Sequence, residues 1–76
     1  SLKETIDNYL TITSTSKKSF ELYGTNLQLN LQKFKEGLIS LDMYYKSFDD
    51  YLKSENTYLN NLSTLLYNQA ILISRK

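Results

Sequence analysis

The chain contains no cysteine, histidine, proline or tryptophan, and each absence removes a class of answer. Without Cys and His there is no ligand set for a structural zinc site. Without an imidazole or a thiol, the common nucleophile–base pairs are excluded as well. Disulfides cannot form, so cysteine usage leaves the redox compartment open. With no proline, nothing in the chain forces a helix to break. Glycine is scarce: Gly24 and Gly37 stand too far apart to make a phosphate-cradling loop. Nine basic and eight acidic residues leave a net charge of +1, which argues against a nucleic-acid binder. No apolar run approaches the roughly 20 residues needed to span a bilayer.

Seventy-six residues make at most one small domain with a modest core. Fourteen Leu and seven Tyr sit among twenty-six Ser, Thr, Asn and Gln, with no Val and one Ala. Periodicity organises them. Stepping alternately by four and three from Leu2 gives Ile6, Tyr9, Thr13, Ser16, Phe20, Tyr23, Leu27, Asn30 and Phe34, mostly apolar and spaced as a coiled-coil ladder. The second half repeats the spacing through Leu41, Tyr45, Phe48, Leu52, Glu55, Leu59, Leu62, Leu66, Gln69 and Ile73. Beside that ladder runs another of strict seven-residue period: Tyr44, Tyr51, Tyr58, Leu65 and Leu72. The second helix is thus apolar over three heptad positions, wider than a two-stranded seam requires, and can touch more than one neighbour.

The two ladders meet at Gly37. Glycine can take the left-handed conformation that ends a helix, and Lys33 and Lys35 complement the negative end of the first dipole. Ser40 is a natural N-cap for the second helix, with Asp42 in its first turn; Met43 leaves the capping box incomplete. The expectation is an all-α, antiparallel two-helix coiled-coil hairpin. Its helices span about 2–36 and 40–75, its turn about 37–39, and isolated copies associate into a four-helix bundle. Two alternatives stay open: one long helix running through Gly37, and a frayed or linker-like stretch over Thr11–Ser19, where hydroxyl and β-branched residues are poor helix formers. Phe34, Leu41, Tyr45, Phe48, Leu52, Leu59, Leu62 and Leu66 are read as helix-packing residues.

No catalytic constellation emerges, and the chain reads as a non-enzyme without metal or cofactor. Asp49 and Asp50 are adjacent and point about 100° apart on a helix, so they cannot act on one bond. Most of the tyrosines fall on the ladders, where packing with the hydroxyl at the rim accounts for them. Asn61-Leu62-Ser63 matches a glycosylation sequon by spacing alone. Tyr67 lies off the main ladder.

The run from Leu31 to Lys76 resembles the C-terminal coiled-coil hairpin of the TolC-like outer-membrane efflux proteins. The resemblance rests on Lys33, Phe34, Gly37, Leu38, Ile39, Ser40 and Leu41 in KFKEGLISL, and on the repeats in SENTYLNNL and the closing Leu65–Ile73. Residues 1–30 match only as a compatible heptad helix. The family resemblance implies a fragment of a longer chain: the periplasmic helical-barrel segment of a trimeric outer-membrane channel in a Gram-negative bacterium. It further implies that Gly37, Leu38, Ile39 and Ser40 form the tip that docks a periplasmic adaptor protein, which links the channel to an inner-membrane transporter. One departure stands out. Where some members carry acidic residues that narrow the closed tip, this chain has Met43 and Lys46, so no acidic aperture is implied. The competing expectation is a self-contained hairpin module that homodimerises and binds an unrelated partner.

Overall fold

The computed structural model describes residues 1–75. Two helices of 34 residues each, α1 (Leu2–Lys35) and α2 (Leu41–Ser74), pack antiparallel into a rod of 58 × 14 × 14 Å. Ser1 caps α1, its Oγ accepting from the Glu4 amide. The helix continues unbroken through Thr11–Ser19. Hydroxyls that could pull the backbone out of helical form are absorbed along the helix itself. Thr11 Oγ1 donates to the Asp7 carbonyl at 3.4 Å and Ser16 Oγ to the Ile12 carbonyl at 2.7 Å.

The chain reverses through a Schellman motif. Gly37 takes φ 75°, the Leu38 amide donates to the Lys33 carbonyl at 2.8 Å, and the Gly37 amide donates to the Phe34 carbonyl at 3.0 Å. These two bonds satisfy carbonyls that the end of α1 would otherwise leave orphaned. Ser40 then caps α2, its Oγ accepting from the Met43 amide at 3.2 Å. A continuous helix through Gly37 is thereby excluded. The turn is one residue wider at each end than the sequence predicts, since Glu36 and Ser40 serve as caps outside the helices.

The seam between the helices is unusually polar. On α1 it follows the ladder from Leu2 to Phe34 except at Tyr23, which is exposed while Gly24 lies against α2. On α2 it follows the tyrosine ladder, flanked by a second heptad series of Ser47, Ser54, Asn61 and Asn68, each buried or half-buried. Among the described residues, Ile6 at 7% and Leu65 at 6% exposure are the buried apolar side chains, and Thr13 and Ser47 the buried polar ones. Two hydrogen-bonded pairs cross the seam two heptads apart. Asn30 Nδ2 donates to Ser47 Oγ, and Asn61 Nδ2 donates to Ser16 Oγ at 3.0 Å. Between them Phe20 lies against Tyr51 and Tyr58, with ring centroids 5.2 and 5.8 Å apart. Gly24 makes room for this cluster: a Cβ there would stand 3.2 Å from Tyr51 Cε1.

The pairs also decide which face of α2 turns inward. Set against the leucine ladder instead, Asn30 and Asn61 would lose their cross-helix serine acceptors, at about 0.5–1.5 kcal/mol for each hydrogen bond. Thr13 shows that cost in place, because its Oγ1 is buried and has no hydrogen-bond partner among the described residues. Thr13→Val should therefore stabilise the chain by about 1 kcal/mol, read as a higher urea midpoint at unchanged slope. Asn61→Ala should shift the midpoint the other way by a similar amount. If neither midpoint moves, the crossing pairs do not hold the seam.

Candidate functional site

The leucine ladder of α2 faces outward. Tyr45, Leu52, Leu59, Leu66 and Ile73 recur every seven residues at 44–68% exposure, with Leu41 and Phe48 also exposed beside them. Leu41, Tyr45, Phe48, Leu52, Leu59 and Leu66, read as helix-packing residues, thus do not form the seam with α1 and could pack only on a further helix. Phe34 stacks on Tyr44 with ring centroids 5.9 Å apart, and Leu62 is half-buried at the seam's edge. The cause lies in the competition described above. Ladder spacing identifies both stripes of α2 equally, whereas the polar groups of α1 select the tyrosine stripe as their partner.

On α1, Leu22 and Leu29 stand seven residues apart and are likewise exposed, as is Ile12. Both helices therefore carry apolar stripes directed away from their common seam. A groove of about 590 Å³ runs along one side of the rod, lined largely by small polar side chains such as Thr11, Thr15, Ser19, Ser54 and Thr57, with Tyr23 over it. Although hydroxyl residues predominate, Ile12, Tyr23 and the threonine methyl groups also line it, and most of its surface is carbon.

The tip presents a second surface. Leu38 is 68% exposed, since the position that usually packs on it at the end of a helix is occupied by Lys33. Ile39 is half-buried, and Ser40 is occupied by its capping bond. Gly37 has open space around it, with nothing within 4 Å of the place a Cβ would occupy. Leu41 and Met43 are exposed close by. The sequence reading places Met43 at a cap position and at a tip position where some TolC-like proteins are acidic, but does not count it among the docking residues. It stands at the third position of α2, beside the turn.

The acidic residues form no site. Asp49 pairs with Lys53 at 2.8 Å and Asp50 with Lys46 at 3.1 Å, so the neighbours serve different lysines. The hydrogen bond that Lys53 donates to Asp49, reinforced by the carboxylate's charge, raises Lys53 above the ordinary lysine range. A raised lysine contributes whatever stability it has below its unfolded-state value and loses it only as alkali removes the proton, so this pair predicts no pH dependence near neutrality. Among the described residues no group of three or more acidic residues converges as a metal site would require, and no helix is long and apolar enough to cross a membrane. Asn61 of the sequon is half-buried and holds Ser16 across the seam. Tyr67 is exposed.

Neither family profiles, nor curated proteins, nor solved structures give a match to this chain.

The surface that the geometry offers is thus a long apolar flank ending in an apolar tip. The tip's shape depends on Gly37. Because its φ is positive while the surrounding space is open, Gly37→Ala should cost about 1 kcal/mol from backbone conformation alone. Gly37→Asn should cost less, since asparagine tolerates that region better. Equal denaturation midpoints for the wild type and both variants would show that the turn is not under this constraint.

Proposed function

We propose that the hairpin is a wall segment of a trimeric, TolC-like outer-membrane efflux channel, its Gly37 turn being the periplasmic tip that docks an adaptor protein. The observation that carries this reading is the outward leucine ladder of α2. A lone hairpin gains most by burying its most apolar face, yet this chain commits the polar-rich face to its own seam and leaves the leucine face open. That arrangement suits a helix with a neighbour on each side, as in a closed ring of helices. The exposed Leu22 and Leu29 of α1 would receive the α2 flank of the next hairpin.

At the tip, Leu38 and Met43 supply apolar anchors, and the open space around Gly37 lets another backbone approach. The protein acts in this reading as a passive conduit, its partners being two further subunits, a periplasmic adaptor and an inner-membrane transporter.

The test uses the full-length channel. Leu38→Asp and Met43→Asp should each abolish crosslinking to the adaptor and reduce export at least tenfold, while trimers still assemble in the outer membrane. Unchanged export and crosslinking in both variants would remove the docking assignment, and a full-length chain that never reaches the outer membrane would remove the channel.

A further inference from the structure

The outward ladder of α2 has a property that bears on how copies of the 76-residue chain meet. From Leu41 to Ile73 its steps run four, three, four and so on, beginning and ending with a four. The series therefore reads the same in either direction. Two copies of α2 laid antiparallel can superpose every rung of one ladder on a rung of the other.

We infer that the 76-residue chain forms a two-fold dimer through this face, α2 against α2 of a second copy, antiparallel. The inference does not rest on the channel reading. In the full register, Leu52 of one copy meets Leu62 of the other, Phe48 meets Leu66, and Glu55 meets Leu59. Leu41 meets Ile73 as well, so the rungs pair apolar with apolar except where Gln69 meets Tyr45 and, at the centre, where Glu55 is the one charged member. The opposed helix dipoles favour this orientation. A parallel pairing would instead set Glu55 against Glu55 and Asp42 against Asp42.

The area is sufficient. The exposed large apolar members of the ladder leave on the order of 700 Å² per chain uncovered, close to the roughly 800 Å² that each partner contributes to a standard interface. The need is also evident, because the hairpin's own seam fully buries few apolar side chains. A two-fold contact of this kind is isologous and closes on itself, so association stops at the dimer, a four-helix bundle with α2 and its copy at the centre.

Disulfide trapping tests the orientation, since the native chain has no cysteine to interfere. Phe48→Cys and Leu66→Cys chains are prepared separately, mixed and oxidised. The mixture should yield a covalent heterodimer, and neither variant should crosslink to itself, because in the antiparallel register like positions lie about 27 Å apart along the axis. Sedimentation supplies a second reading: Glu55→Leu should tighten the dimer at least tenfold, and Leu59→Glu should weaken it by as much while helicity is retained. Crosslinking of Phe48→Cys to itself would overturn the inference in favour of a parallel dimer. Crosslinking of Phe48→Cys to Leu29→Cys, at the same height on α1, would overturn it in favour of hairpins standing side by side with tips together, the packing expected of a channel wall. A monomer at every accessible concentration would also overturn it, leaving the channel to be judged by its export test.

Discussion

Two hydrogen-bonded pairs, Asn30 with Ser47 and Ser16 with Asn61, govern the arrangement of the whole hairpin. They join an asparagine amide to a serine hydroxyl across the seam, in opposite senses on the two helices. Any slip of register, or rotation of α2 toward its leucine stripe, would separate both pairs at once. A heptad slide preserves apolar spacing and is weakly opposed in a seam built from leucine alone, whereas buried polar partners resist it. Their net contribution to stability is modest; their larger effect is to make one arrangement preferable to its close competitors.

The rest of the seam is adapted to that choice. Gly24 is an unfavourable residue for the interior of a helix, but it lies where the Tyr51 ring approaches α1. Phe20 fills the space between Tyr51 and Tyr58. The outcome is a rod whose inner surface is aromatic and polar and whose outer surface is rich in leucine. That inversion of the usual order connects the packing of this chain to the function proposed for it, because an apolar face left outward over a whole helix calls for an occupant.

Much of this organisation can be read directly from the residues. Two helices, their antiparallel sense and the Gly37–Ser40 reversal follow from ladder spacing, from glycine and serine at cap positions, and from a connection too short for any other geometry. The Thr11–Ser19 stretch was ambiguous, since its composition opposes a helix while its ladder positions favour one; packing of Thr13 and Ser16 against α2 settled it. The tip was visible as KFKEGLISL, but the division of roles within it was not. Leu38 is exposed and Ile39 half-buried, although the two are chemically alike, because their burial depends on how the turn leans against the helix ends.

The sequence by itself determined that this chain forms two helices, where they reverse, and that one of them is apolar around more of its circumference than a single neighbour can cover. These are local or periodic properties, set by capping chemistry and by the 3.6-residue turn. Only the tertiary structure decided which stripe of α2 is spent on α1. Both stripes have coiled-coil spacing, so periodicity alone does not choose between them for the internal seam. The choice is made by polar partners 17 and 45 residues apart in the chain, which meet only once the hairpin has closed.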